Sequence, residues 1–157
     1  MDMRVNPRQK LKLVMVGNGM AGVRTLEELL KIAPDLYDIT VFGAEPHPNY
    51  NRILLSPVLA GEQTLDEIVL NDWAWYRDNA ITLHAGWQVT SVDRAKRLVH
   101  ATNALGETIS APYDRLIMAT GSNPFILPIP GKDLAGVLAY RDIADTQAMI
   151  DAAAKYK

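Results

Sequence analysis

The run Gly17-Asn18-Gly19-Met20-Ala21-Gly22 carries the most specific chemical pattern in this sequence. Its glycines serve different physical needs. The first permits a tight turn, the second lets backbone N–H groups come close to an anion, and the third lets a helix pack tightly on a strand. A helix starting here would turn its unpaired N–H groups and positive dipole end toward that turn, an arrangement suited to a pyrophosphate. A plain tight turn is the alternative, and the flanking elements must decide. Such a site also needs an acceptor for ribose hydroxyls, normally an acid at the end of the next strand. Glu45 holds that place, and its carboxylate can accept two hydroxyl hydrogen bonds while repelling a 2′-phosphate. A solvated loop acid is the alternative reading of Glu45.

Two further segments have ligand-binding character. In Tyr50-Asn51-Arg52-Ile53-Leu54-Leu55-Ser56, the Arg52 guanidinium could reach a diphosphate while the other polar groups line a pocket. In Ala119-Thr120-Gly121, a small residue and a glycine allow a backbone to approach a ligand closely. Nothing resembles an acid–base or nucleophile constellation. His47, His84 and His100 lie far apart in sequence, and each reads as an incidental polar residue.

The elements that must position these residues follow from periodicity. Leu11–Val16 is a continuous apolar run rich in β-formers, the pattern of a parallel strand buried on both faces. Ala21, Leu26, Leu29, Leu30 and Ala33 recur at helical spacing from Met20 until Pro34 stops the helix. Ile39–Phe42 reads as a second strand, completing a βαβ unit. Gly43–Pro57 holds Pro46, Pro48 and Pro57, so it can be neither a long helix nor a central strand. Asn71 or Asp72 can cap a short helix running to Asn79, in which Trp73, Trp75 and Tyr76 supply packing bulk.

From Ile81 to Ile109 the texture changes to short alternating segments, Gln88–Val92, Leu98–Thr102 and Thr108–Ile109, which predicts a small antiparallel meander. Leu116-Ile117-Met118 returns to a buried-strand pattern ending at Thr120 and Gly121. A proline-rich stretch over Asn123–Gly131, a short strand near Val137–Leu138 and a helix from Ile143 complete the reading.

Composition bounds the function. The 157 residues are 48% apolar and 22% charged, enough for one real core and too apolar for disorder. The formal net charge of −2, with no long basic run, gives no footprint for nucleic acid or an anionic membrane. The absence of cysteine excludes disulfides, thiolate-bound iron–sulfur clusters and thiol nucleophiles within this sequence. Residues 1–10 read as a polar leader, and the apolar stretch after it is too short for a signal peptide or membrane span, so the cytoplasm is the expected location.

Taken together, the glycine motif, Glu45, the segment EPHPNYNR over Glu45–Arg52 and ATGSNPFILPIPG over Ala119–Gly131 resemble the two-dinucleotide-domain flavoprotein reductases. The wording YNRILLSPVLAG over Tyr50–Gly61 is most similar to the nitrite-reductase branch of that superfamily, with the rubredoxin and ferredoxin reductases close behind. Those relatives usually carry a lysine after the serine, where this sequence has Pro57.

The resemblance implies an α/β Rossmann-like three-layer FAD/NAD(P)-binding fold with a parallel sheet, crossover helices and a small β-meander. It implies an FAD-binding domain over residues 11–157 that serves electron entry from NAD(P)H in a larger nitrite-reducing parent. Gly17, Gly19, Met20, Ala21 and Gly22 match the FAD pyrophosphate turn, and Glu45 the ribose acid. Asn51 and Arg52 match a loop near phosphates and flavin, Val89 a backbone contact to adenine, and Thr120 and Gly121 a second FAD contact. Arg141 matches an arginine near the cofactor, with a locally paired surface arginine as the alternative.

The resemblance also implies what is expected to lie outside these residues: a second domain for NAD(P)H, a returning FAD segment, and iron–sulfur and sirohaem sites on the rest of the parent chain or on a redox partner. Homo-oligomers belong to the same expectation. Three other readings stand beside it: a rubredoxin- or ferredoxin-type reductase fragment, a non-catalytic nucleotide-binding module, and an ordinary NAD-binding enzyme.

Overall fold

The structure, a computed structural model, describes residues 10–156. The expected leader, apart from Lys10, lies outside the described residues. In chain order the elements are β1 (Leu11–Val16), α1 (Met20–Ile32), β2 (Tyr37–Gly43), β3 (Asn49–Tyr50), α2 (Leu55–Leu59), β4 (Val69–Asn71), α3 (Trp73–Asp78), β5 (Ile81–Ala85), β6 (Trp87–Asp93), β7 (Leu98–Asn103), β8 (Thr108–Pro112), β9 (Arg115–Met118) and α4 (Ile143–Lys155). They fall into two compact units. Among the described residues, one holds 10–48 together with Asn71–Thr120, and the other holds Asn49–Leu70 with 121–156.

The first unit is built on a parallel sheet in the order β5-β2-β1-β9. Strand β1 sits centrally, with Val14 opposite both Thr40 and Leu116. Its apolar residues serve two cores at once. Leu13 and Met15 join Ile39, Val41 and Ile81 against Val23 and Leu26 of α1 and Tyr76 of α3. Val14 and Val16 join Phe42 against Val99 and Ala101 of β7. Alternate side chains of a strand point to opposite faces, so this alternation makes three layers: helices, parallel sheet, and the antiparallel sheet β6-β7-β8. Pro34 stands just past α1, whose end is closed by the Ala33 N–H donating to the Leu29 carbonyl at 2.8 Å. Helix α3 starts where Asp72 accepts from the Trp75 N–H at 2.8 Å.

The second unit has its own apolar cluster of Tyr50, Leu55, Val58 and Ile68, with Ile143 of α4 packed against it. Strands β3 and β4 pair. Pro57 is accommodated in the first turn of α2, where backbone N–H groups lack helical partners in any case. Asp142 caps α4 by accepting from the Asp145 N–H at 2.9 Å.

Four expectations are corrected. Ile81–Ala85 does not belong to the meander texture but pairs in parallel with β2 over Ile39–Gly43. The segment near Val137–Leu138 forms no strand; it lies exposed after Gly131 and Gly136, both at positive φ, with the Val137 N–H closing a turn onto Leu134. Strand β9 is a sheet edge rather than a fully buried strand, and its Met118 is 58% exposed. Trp73 is also exposed: at the first position of α3 its side chain tilts back past the helix start, while Tyr76, one turn further in, packs in the core.

Candidate functional site

The glycine motif occupies the turn from β1 into α1. Gly17 has φ +108°, and a Cβ there would lie 2.0 Å from the Ala119 carbonyl oxygen. No other residue type fits that place. Backbone bonds tie the strand end on both sides: the Gly17 N–H donates to the Phe42 carbonyl at 2.8 Å, and the Ala119 N–H to the Val16 carbonyl at 2.7 Å. Gly22 is buried, and a Cβ on it would meet Ala119 Cβ and Met15 Sδ at 3.0 Å. That closeness sets the separation of helix and sheet.

Gly19 differs from both. It caps α1 with an extended backbone, contributes no side-chain cap, and a Cβ on it would meet nothing within 4 Å. The first turn of α1, Met20-Ala21-Gly22, contains no acidic residue. The 13-residue helix therefore ends in unpaired N–H groups beside open space. This is a cradle that a side chain would fill, and its polarity and room fit the pyrophosphate of a dinucleotide.

Glu45 follows β2 and is half-buried. Its backbone is tied to the entry of the meander, where the Gly86 N–H donates to the Glu45 carbonyl at 3.0 Å. Val89 lies three residues beyond Gly86 in β6, opposite Ala101 and just before an irregularity in the pairing between Val89 and Ser91. Thr120 is exposed immediately after Ala119, the residue that Gly17 touches. One unit thus brings together Gly17, Gly19, Met20, Ala21, Gly22, Thr120, and the linked pair of Glu45 and the β6 entry.

The other unit gathers the remaining residues. Asn51 accepts from the Ile53 N–H at 3.1 Å, capping the short turn Arg52–Leu54, while its own N–H donates to the Ile68 carbonyl at 2.8 Å. Arg52 Nη1 donates to the Arg141 carbonyl at 2.8 Å, and its guanidinium carbon stands 5.2 Å from the Tyr50 ring centroid. A Cβ on Gly121 would lie 3.4 Å from Arg141 Nη2. The Arg141 N–H is held by Asp145 at 2.8 Å. The adjacent residues Asn51 and Arg52 are therefore brought beside Arg141, and Arg141 beside Gly121, across long separations in sequence.

The histidines show ordinary packing roles. His84 stacks on Phe42 with ring centroids 4.9 Å apart, and burial holds its imidazole below the usual value. His100 shares a 2.7 Å hydrogen bond with Ser110 across the meander. Among the described residues no group of three or more His, Asp or Glu is placed to hold a metal ion.

Sequence spacing passed over Asn18 and Tyr76. Tyr76 donates to Asn18 Oδ1 at 2.6 Å, and Asn18 Nδ2 donates to the His47 carbonyl at 3.3 Å. The one available signal was an amide at a motif position with no demand of its own.

The family model described as pyridine nucleotide-disulphide oxidoreductase matches residues 11–155. The chain belongs to that family. Within the pyridine nucleotide-disulphide oxidoreductases it is 57% identical over 148 residues to the nitrite reductase [NAD(P)H] of Bacillus subtilis, covering 94% of this chain and 18% of that protein. It is 49% identical over 149 residues to the assimilatory nitrate reductase electron transfer subunit of the same organism, covering 95% of this chain and 19% of the relative. The chain thus spans about a fifth of the length of these relatives. Among solved structures, the NADH:rubredoxin oxidoreductase of Clostridium acetobutylicum superposes with a TM-score of 0.77 at 26% identity, over 94% of this chain and 36% of that one. The water-forming NADH oxidase of Lactobacillus brevis shares the fold at TM-score 0.82 and 22% identity, over 93% of this chain and 33% of the oxidase. The three-layer fold is that of the FAD/NAD(P) oxidoreductases.

Proposed function

We propose that this chain is the FAD-holding part of an NAD(P)H-dependent flavoprotein oxidoreductase, and that it serves electron entry for reduction of nitrite to ammonia. The observation that carries the reading is the start of α1, where Gly19 leaves open space beside unpaired N–H groups. Gly17, Gly19, Met20, Ala21 and Gly22 hold the FAD pyrophosphate, Glu45 accepts from the ribose hydroxyls, and Val89 and Thr120 contribute backbone contacts. Asn51, Arg52, Gly121 and Arg141 are assigned cofactor contacts of their own. FAD, when bound, supplies the redox chemistry, while the chain supplies position and electrostatics.

The 57%-identical relative supports nitrite as the end acceptor. The 49%-identical relative, named as an electron transfer subunit for nitrate reduction, supports a second reading in which the same module feeds a separate reductase. In both readings the chain takes part in the entry of electrons from NAD(P)H. In either case its partners are FAD, the remainder of a longer parent or a redox protein with iron–sulfur and sirohaem sites, and a further copy of itself in a homo-oligomer. Among the described residues no helix is long and apolar enough to cross a membrane. A cytoplasmic site of action belongs to the same proposal.

Titration of the protein with FAD and with NADH, followed by the flavin spectrum and fluorescence, tests the assignment. FAD binding with flavin quenching is expected. Tight NADH binding with no affinity for FAD would overturn it.

A further inference from the structure

The hydrogen bonds of Asn18 reach beyond the glycine turn. Its position in the motif demands no side chain, yet its amide spans two elements distant in sequence. Oδ1 accepts from the hydroxyl of Tyr76, a residue 2% exposed in α3, at 2.6 Å. Nδ2 donates to the carbonyl of His47 at 3.3 Å. The orientation of the amide is not free. Only the NH2 group can face a carbonyl, since an amide oxygen there would set two acceptors against each other. The Tyr76 hydroxyl must therefore be the donor on the other side.

His47 is two residues beyond Glu45, inside the same short loop. That loop is fastened at a second point by the Gly86 N–H on the Glu45 carbonyl at 3.0 Å. A third restraint is steric: a Cβ on Gly43 would stand 2.9 Å from Asn18 Cβ, so the turn and the end of β2 are already in close approach. Between them these contacts leave the Ala44–Pro48 loop little freedom relative to the glycine turn. The two parts that would bind pyrophosphate and ribose are thus held in fixed register by the Asn18 side chain, which reaches from the one to the other.

We propose that Asn18 is a positioning residue for ribose recognition, its amide locked by the Tyr76 hydroxyl and holding the loop that presents Glu45. The inference rests on the proposed assignment of Glu45 as the ribose acid. It adds that selectivity for an intact ribose depends on a tyrosine hydroxyl in a separate helix. Tyr76→Phe keeps the ring in its core and removes only the donor, and Asn18→Ala keeps the Cβ that packs on Gly43.

The test compares ADP with 2′-deoxy-ADP, with inorganic pyrophosphate as a competitor that has no ribose, on the full protein. Wild type should prefer ADP on the order of tenfold, the effect of one hydroxyl hydrogen bond to a carboxylate. Both variants should lower that ratio toward one, leave pyrophosphate affinity unchanged, and have no further effect on the ratio in a Glu45→Ala background. Hydrogen exchange across Gly43–His47 in the ligand-free protein should speed up in both. A preserved ADP preference in Asn18→Ala and Tyr76→Phe would overturn the positioning role while leaving the cofactor assignment intact. A wild type that prefers neither nucleotide would overturn both. Unchanged exchange in the loop would sink the positioning role on its own.

Discussion

Gly17 and Ala119 meet backbone to backbone, so closely that a Cβ on Gly17 would fall 2.0 Å from the Ala119 carbonyl oxygen. A Cβ on Gly19, two residues on, would meet nothing within 4 Å. Glycines of one motif therefore separate a folding requirement from a binding requirement. Gly17→Ala should cost more than about 2 kcal/mol, combining the left-handed backbone penalty with a backbone clash. Gly19→Val should leave the urea midpoint close to wild type and abolish FAD binding. Equal loss of stability in the two variants would contradict the division.

The stacked pair His84 and Phe42 predicts a pH dependence. Burial lowers the imidazole pKa, so the folded protein favours neutral His84. Stability from this group is complete above the unfolded value, about 6.5, and falls as the pH drops from there toward the depressed folded value. Denaturant midpoints at pH 8 and pH 5.5 should differ more in wild type than in His84→Gln. The same pH slope in both would show that His84 does not report this burial.

Beside α1, Asn71 Nδ2 donates to Glu27 Oε1 at 2.9 Å. That bond is the main reason the Glu27 carboxyl lies below its usual range, followed by Arg24. Asn71 is buried at 5% exposure, so Asn71→Ala should cost about 1–3 kcal/mol. The Glu27 pKa, followed by carboxyl NMR, should rise in the variant. Because the folded pKa is depressed, Glu27 stabilises the protein above the ordinary carboxyl range and loses that effect as pH falls through the folded value.

Arg52 holds the Arg141 carbonyl and lies over the Tyr50 ring. Lysine keeps the charge but lacks the planar fork that does both. Arg52→Ala should weaken FAD binding by about 1.5–3 kcal/mol, and Arg52→Lys should recover less than half of that. Calorimetric titration measures both, and full recovery by lysine would reduce the role of Arg52 to charge alone.

The strand, glycine turn, helix and strand from Leu11 to Gly43 were legible because local periodicity and helix punctuation agree there. The meander was legible for the same reason, its turns being closed by local polar contacts such as Asp93 accepting from the Lys96 N–H at 2.9 Å. Ile81–Ala85 was not, since it adjoins the meander in sequence while its partner is β2, some forty residues earlier. Within Gly43–Pro57 the prolines exclude long elements, yet they say nothing against the short strand and short helices that form there. At the site, single positions such as Gly17 and Glu45 carry motif signals. The Tyr76–Asn18–His47 chain and the Arg52–Arg141 contact do not, because each joins residues whose separation only the folded chain defines.

The central strand also carries a problem of information. Because β1 is apolar toward both the helices and the meander, its hydrophobic pattern is degenerate: sliding it by one residue would exchange one oily face for another. What discriminates the correct alignment are the polar fastenings at its ends. The Lys12 N–H donates to Asp114 Oδ2 at 2.8 Å and the Asp114 N–H to the Lys12 carbonyl at 2.8 Å, with the Gly17 and Ala119 bonds at the far end. Asp114, a half-buried residue outside every core cluster, thereby acts as an indexing pin for the central strand of the sheet.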